Sequence, residues 1–172
     1  MPELPELEVV REVLLRRVVD QHIAEVQVVP PGGAIVVRDL TLEQFRALLK
    51  PFRGEVKGVL TRNDAIAGIG NAYADEILWA AKLHPYRKRT SLSDEEIARL
   101  YEAIQSTLRE AIAKVRIEMG ENIHLKPCDF MAVHMQNNQP CPRCGTLISQ
   151  VSANQRITNF CRTCQPGGLI KN

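Results

Sequence analysis

The sequence predicts a mainly α-helical fold with small β parts. An apolar stripe at helical spacing extends over residues 97–115 and predicts one long, core-facing helix. Near the C-terminal end, two Cys-x2-Cys pairs flank two short apolar runs, a pattern that predicts a metal-braced β-hairpin. We therefore expect a helical body followed by a small finger.

The N-terminal residues predict a helix and two short strands. Residues 5–19 read as an amphipathic helix, with one apolar face formed by Leu7, Val10, Leu14 and Val18. Residues 23–29 and 34–37 are short apolar runs on either side of a Pro-Pro-Gly-Gly break. The second run could pair with the first, although two strands alone do not make a stable sheet.

The middle of the chain contains two helix-start signals and a glycine turn. Thr41 and Gln44 form a capping box for a helix ending near Lys50. Residues 63–78 have the form helix, tight glycine turn, helix, in which Asn71 can cap the second helix. Such a turn presents backbone N–H groups and a positive dipole end, which can seat a phosphate.

The last helix and the hairpin complete the predicted elements. Ser93 and Glu96 form a capping box at the start of the long helix, which should end at Gly120. Strands are expected over residues 147–151 and 157–160, which places Arg156 near the tip of the hairpin.

The four paired cysteines are the strongest local signal. Two Cys-x2-Cys turns separated by 16 residues can close a tetrahedral site with no open position, so we expect one structural Zn²⁺. Two disulfides are the rival interpretation, but they need an oxidising compartment that nothing in the sequence indicates. Cys128 is left over and is predicted to be a small buried apolar residue. The expected ligands are Cys141, Cys144, Cys161 and Cys164.

Composition limits the class of protein. The 172 residues are 45% hydrophobic, enough for a packed core, and no apolar run approaches the roughly 18 residues that span a bilayer. The charged first helix excludes a signal peptide, so we expect a cytoplasmic protein with no membrane partner. Residues 1–81 carry 9 Lys or Arg against 12 Asp or Glu, and residues 82–172 carry 13 against 8. The basic second half suits a polyanion, although a solvated surface explains it equally well.

The chain starts Met1-Pro2-Glu3, which permits two interpretations. If Met1 is removed, Pro2 presents a secondary amine beside a carboxylate, and an amine can form a Schiff base while a carboxylate carries protons. Proline and glutamate in a first helical turn are also ordinary helix-start residues.

Three motifs in order decide between these interpretations: PELPE at the N-terminus, AGIGNAYADEIL in the middle and NQRITNFCRTCQPG in the finger. With them the chain resembles the bacterial formamidopyrimidine-DNA glycosylase / endonuclease VIII family of base-excision repair enzymes. The resemblance implies a helix-two-turn-helix DNA-binding domain and a β-hairpin zinc finger. It divides the chain into a residual N-terminal catalytic segment (1–40), the helical domain (41–135) and the finger (136–172).

The resemblance also implies residue roles. Pro2 would be the nucleophile that attacks C1′ of a damaged nucleotide, and Glu3 would be the proton shuttle that helps to open the sugar. Asn71 and Arg156 would bind the DNA backbone around an extruded nucleotide. The expected partner is double-stranded damaged or abasic DNA, bound by a monomer.

The chain departs from the family pattern at two places. Between Leu40 and Thr41 the family carries most of a β-sandwich, with a catalytic lysine and much of the lesion pocket, and this chain has none of it. Lys57 belongs to the lead-in of the glycine turn and is not equated with that lysine. In addition, Gln136 stands where the family has a basic residue, which removes one phosphate contact.

Three functions remain to be distinguished. The first is a DNA glycosylase / AP lyase whose activity is reduced by the missing sandwich. The second is a non-catalytic, zinc-dependent DNA-binding module derived from that family. The third is a structural zinc ribbon with no nucleic-acid role, which would leave Asn71 and Arg156 without a task.

Overall fold

A computed structural model describes residues 3–19, 35–36, 40–62, 66–122, 124–125, 127–153 and 156–167. The helices are α1 (Leu4–Val18), α2 (Leu42–Leu49), α3 (Val56–Leu60), α4 (Asn71–Ala80) and α5 (Asp94–Met119). The strands are β1 (Ile35–Val36), β2 (Ile66–Ala67), β3 (Ser149–Ala153) and β4 (Arg156–Phe160). The predicted fold class, mainly helical with a C-terminal hairpin, is confirmed.

Helix α5 is the scaffold on which the other helices pack. Its predicted start is confirmed, because the Ser93 hydroxyl accepts the Glu96 N–H at 3.2 Å while the Glu96 carboxylate accepts the Ser93 N–H at 2.9 Å. The helix ends at Gly120, whose φ of +53° suits glycine. Helices α1, α2 and α4 all contact α5. Its buried side chains include Ile97, Leu100, Ile104, Leu108 and Val115.

Helix α1 packs on α5 with a different face from the predicted one. Val9 and Val13 are buried against Val115 and Met119 of α5. Leu7 and Leu14, by contrast, are 47% and 40% exposed, so the predicted apolar face was wrong in orientation. The contacts of Glu3 and Glu6 at the start of the helix fix its rotation, and these contacts are made by residues far along the chain.

The short parallel pair β1 and β2 joins residues far apart in the chain. Ile35 pairs with Ile66, whereas the predicted partner run 23–29 lies outside the described residues. The segment before the glycine turn also contains strand β2, whereas a helix leading into the turn was predicted. The preceding helix, α3, already ends at Leu60.

The glycine turn is where the start of α1 meets α4. The Leu4 N–H donates to the Gly68 carbonyl at 2.9 Å. Gly68 has φ +94°, and a Cβ at this position would lie 2.8 Å from Leu4 Cβ. A Cβ on Gly70 would lie 2.5 Å from Glu3 Oε1. Both glycines are therefore required by the close approach of α1.

Strands β3 and β4 form the predicted antiparallel hairpin, with Ser149 opposite Phe160 and Ala153 opposite Arg156. Arg156 thus starts the return strand, as predicted, and the turn residues 154–155 lie outside the described residues. The prediction for Cys128 was wrong, because this residue is exposed.

A buried ion pair attaches the hairpin to the helices. Lys57 Nζ on α3 lies 2.6 Å from Asp75 Oδ1 on α4 and also donates to the Ile157 carbonyl at 3.0 Å and to Thr158 Oγ1 at 2.9 Å. The two charged side chains are only 8% and 0% exposed. Burial lowers the pKa of Lys57 from its ordinary value, while the Asp75 carboxylate opposes that shift.

We expect Gly70→Ala to destabilise the protein by about 1–3 kcal/mol, because the new methyl group displaces the Glu3 carboxylate from the start of α4. Urea denaturation followed by circular dichroism measures the loss. Gly58→Ala in α3 is the matched control, since nothing lies within 4 Å of its Cβ. Alanine there should leave stability unchanged or raise it by up to about 1 kcal/mol. Equal stability of the two variants would contradict this account of the turn.

Lys57→Met should cost about 3–5 kcal/mol, because it leaves the Asp75 carboxylate buried without its cation. Arg116→Met removes the exposed ion pair between Arg116 and Glu12 and should cost less than about 1 kcal/mol. Both free energies of unfolding come from the same denaturation experiment. Similar losses for the two variants would show that burial of the Lys57 pair contributes nothing.

Candidate nucleic-acid interface and metal site

The four paired cysteines converge on one point. Their Sγ atoms all lie within 4.8 Å of one another, with Cys141 Sγ 3.9 Å from Cys164 Sγ and Cys144 Sγ 3.4 Å from Cys161 Sγ. A tetrahedral Zn²⁺ with Zn–S bonds of about 2.3 Å needs sulfur atoms roughly 3.8 Å apart. The donor set therefore fits the expected structural zinc, bound by four thiolates with no position left for substrate.

The surroundings of Cys144 favour the form that binds metal. Hydrogen bonds from the side chain and the backbone of Thr146 lower the pKa of Cys144 to about 6, whereas burial raises the pKa of Cys161 and Cys164. Zinc binds thiolates and not thiols, so a lowered pKa reduces the proton competition for this ligand.

Glu3 lies at the N-terminal end of α4. Its carboxylate accepts the N–H groups of Gly70 at 2.9 Å, Ala72 at 3.1 Å and Tyr73 at 3.1 Å, and the residue is 7% exposed. Helix starts leave such N–H groups without partners, and a carboxylate there is also stabilised by the helix dipole. Gly70, not Asn71, is the N-cap residue, so the predicted cap on α4 was wrong. The capping carboxylate comes instead from residue 3.

Glu6, the second glutamate of the N-terminal motif, supports the same contact. One of its oxygens accepts the Glu3 N–H at 2.7 Å and the other accepts the Tyr73 hydroxyl at 3.1 Å. Burial, together with Glu6, raises the pKa of Tyr73, which keeps its hydroxyl protonated as a donor. Pro2 is bonded directly to Glu3 but lies outside the described residues.

Asn71 and the hairpin are in direct contact. Asn71 Nδ2 donates to the carbonyl of Ile157, the residue that follows Arg156, at 2.8 Å. Asn71 Oδ1 is buried and has no hydrogen-bond partner within the described part of the chain. The exposed Arg156 guanidinium donates to Thr61 Oγ1 at 3.2 Å. Both predicted backbone-binding residues therefore make contacts between the helical body and the hairpin.

A groove of about 410 Å³ lies between α3 and the hairpin. Arg156 lies at its edge, and the Lys57 and Thr158 side chains form part of its wall. Its lining residues are Glu55, Lys57, Gly58, Thr61, Tyr86, Ala153, Arg156 and Thr158.

Sequence reasoning missed the residues that hold the hairpin in place. Asp75 accepts Lys57 through one oxygen, and through the other it accepts the Asn159 N–H at 3.1 Å and bonds His134 Nδ1 at 2.8 Å. Asp75 follows Asn71 by four residues and so lies on the same face of α4. That spacing is the one signal from which its position could have been predicted.

Glu76 holds the segment that leads into the finger. Its carboxylate accepts the N–H groups of Ala132, Val133 and His134 at 2.8 to 2.9 Å. Burial raises the pKa of Glu76, and these three donors oppose the rise. The loop that precedes the first cysteine pair is thereby attached to α4.

None of the described helices is long and apolar enough to cross a membrane.

Two family models match the chain. Residues 34–121 match the formamidopyrimidine-DNA glycosylase H2TH domain, and residues 138–167 match a zinc finger found in FPG and IleRS. The two matches fall on the helical body and on the hairpin with its cysteines.

Two relatives show how far the similarity extends. A formamidopyrimidine-DNA glycosylase of Herpetosiphon aurantiacus is 38% identical over 137 residues, which cover 74% of this chain and 48% of the relative. An uncharacterized formamidopyrimidine-DNA glycosylase-like protein of Mycobacterium tuberculosis is 35% identical over 130 residues, which cover 76% of this chain and 82% of the relative. The chain thus spans about half the length of the first relative.

Solved structures are similar to the chain over about the same share of its length. The Lactococcus lactis Fpg, in complex with DNA containing an abasic site, superposes with a TM-score of 0.64 at 30% identity, over 74% of this chain and 48% of that one. The MutM (Fpg) protein of Thermus thermophilus gives 0.60 at 36% identity, over 72% and 49%. The helical domain, the cysteine finger and these relatives together show that the chain belongs to the formamidopyrimidine-DNA glycosylase family.

Proposed function

We propose that this protein binds damaged or abasic double-stranded DNA and acts on it as a glycosylase / AP lyase through Pro2 and Glu3. The observation that carries the proposal is the meeting of three parts at the start of α4. Glu3 from the N-terminus, Asn71 from the glycine turn and the Ile157 carbonyl of the hairpin all bond there. Glu3, which we assign to the chemistry, and Asn71, which we assign to DNA binding, therefore lie at the same helix end.

The DNA-binding part of the proposal rests on chemistry that suits a phosphate backbone. Arg156 offers an exposed guanidinium, and the Asn71 amide carries two donor hydrogens of which the Ile157 carbonyl needs one. Side chains of these types bind phosphate oxygens and position a protein on a duplex. The solved relative from Lactococcus lactis holds DNA that contains an abasic site, the substrate class proposed here.

The lyase reaction at an abasic site requires only an amine, an aldehyde and a proton carrier. With Met1 removed, the Pro2 nitrogen adds to the C1′ aldehyde of an opened abasic sugar, and loss of water gives an iminium ion. The iminium acidifies the C2′ hydrogen. Its removal forms a C2′=C3′ double bond as the C3′–O bond breaks, and the phosphate leaves as the 5′-phosphate end of the downstream strand. Water then hydrolyses the iminium and frees Pro2. In this proposal Glu3, the next residue, carries protons in these steps.

A second candidate function is a non-catalytic DNA-binding module of the same family. One observation favours it: the Glu3 carboxylate already accepts three backbone N–H groups, so capping α4 is a sufficient reason for its presence. Both candidate functions include DNA binding, but only the first includes formation of a Schiff base with the DNA.

We expect borohydride to trap the 172-residue protein covalently on duplex DNA with an abasic site, because reduction of the iminium fixes the Pro2–C1′ bond. Gel electrophoresis measures the trapped fraction. Pro2→Gly should reduce it strongly. Trapping also requires loss of Met1, since the proline nitrogen is otherwise an amide.

Intact mass measurement establishes the N-terminal residue, and peptide mapping locates the crosslink. A crosslink on lysine, or equal trapping by Pro2→Gly, would refute the catalytic proposal. A processed protein that binds abasic DNA without being trapped would support the non-catalytic module.

We expect Arg156→Ala to weaken binding to all duplexes by a similar factor and to lower the salt slope by about one unit, because one fewer counterion is released. Asn71→Ala should also weaken binding but leave the slope nearly unchanged, since its side chain is neutral. Titration of labelled duplex at several salt concentrations measures both quantities.

Arg109→Ala is the matched control, because it removes the same charge from an exposed position on α5. It should have little effect on affinity or slope. Equal effects of Arg109→Ala and Arg156→Ala would show that DNA binding depends on net charge alone. No response to Arg156→Ala or Asn71→Ala would instead favour the structural zinc ribbon.

A further inference from the structure

Trp79, near the C-terminal end of α4, lies against the cysteine cluster. Its indole Nε1–H donates to Cys141 Sγ at 3.4 Å. The half-buried ring packs on the small apolar cluster formed by Val133, Cys141, Ile148 and Cys161. Trp79 is the only tryptophan of the chain.

Arg143 holds the same ring from its face. Its guanidinium carbon lies 4.0 Å from the centroid of the Trp79 ring, and its Nη1 donates to the Trp79 carbonyl at 2.9 Å. Arg143 belongs to the Cys141–Cys144 turn, so the residue that fixes the indole is itself part of the metal-binding loop. The indole edge contacts a ligand sulfur while a cation covers its face.

The interaction suits the charge of the site. Four thiolates around one Zn²⁺ leave a net negative cluster, and each sulfur keeps lone pairs that can accept hydrogen bonds. Outer partners of this kind orient metal ligands and tune their donor strength, and their removal typically costs 10–100-fold in metal affinity. The contact of Trp79 has the geometry of such a partner.

The contact between Trp79 and Cys141 is the last of three that one face of α4 makes with the finger. Asn71, Asp75 and Trp79 follow one another at intervals of four residues and therefore lie along a single face. Asn71 donates to the Ile157 carbonyl. Asp75 accepts the Asn159 N–H, and Trp79 donates to Cys141 Sγ. One helix thus holds the finger from strand β4 to its metal end.

We propose that Trp79 and Arg143 are positioning residues of the zinc site: the indole N–H donates to the Cys141 thiolate, and Arg143 holds the indole in place. Trp79 acts through Cys141 and does not touch the metal. The inference concerns zinc binding alone and does not depend on DNA cleavage.

Zinc retention by the full chain tests the proposal without DNA. Trp79→Phe keeps an aromatic ring but removes the N–H, and it should lower zinc affinity by roughly tenfold in competition with a chromophoric chelator. Arg143→Met should lower it by about threefold, as expected for loss of an exposed cation–π contact. Arg162→Met, an exposed residue of the second cysteine turn with the same charge change, should retain wild-type affinity.

A spectroscopic measurement separates the hydrogen bond from loose packing. In the Co²⁺-substituted protein, the N–H donor stabilises the lone pairs of Cys141, so Trp79→Phe should shift the thiolate-to-cobalt charge-transfer band to longer wavelength. Arg162→Met should leave the band unchanged. Wild-type zinc affinity and an unshifted band in Trp79→Phe would overturn the proposal. If that variant fails to fold, an unchanged affinity of Arg143→Met would overturn the role of the Arg143–Trp79 contact.

Discussion

The contact between the Glu3 carboxylate and the start of α4 is the interaction on which the rest of the arrangement depends. It joins residues 67 to 70 positions apart and satisfies three backbone N–H groups that a buried helix start would otherwise leave without partners. Gly70 leaves room for the carboxylate, and the left-handed Gly68 leaves room for the Leu4 side chain. The beginning of the chain is thereby fixed beside Asn71.

Helix α4 also positions the finger. Its polar face bonds the hairpin, and Glu76 bonds the loop before the cysteines. The buried Lys57–Asp75 pair adds a contact that is costly to break, because either partner alone would be a buried charge without compensation. A zinc-braced hairpin is small, and these contacts give it one orientation on the helical body.

The chain spans about half the length of several relatives and of the solved structures it resembles, yet α1, which precedes both matched regions, is packed into the same body. Val9 and Val13 are buried against α5, and Glu12 pairs with Arg116 on its surface. An apolar contact between α1 and α5 therefore crosses the proposed division at residue 40. The groove beside Arg156 is formed within the helical body and the finger.

The sequence by itself determined whatever depends on neighbouring residues. Capping boxes within one turn located the starts of α2 and α5, and the spacing of the cysteines identified the metal ligands, because these interactions close over a few residues. Only the tertiary structure decided the pairing of Ile35 with Ile66, the buried face of α1, and the roles of Glu3 and Lys57. Each of those depends on partners distant in sequence, which local periodicity cannot specify. Burial makes the contacts of Glu3 and Lys57 important for stability, because a charged group removed from water is costly unless it has a partner.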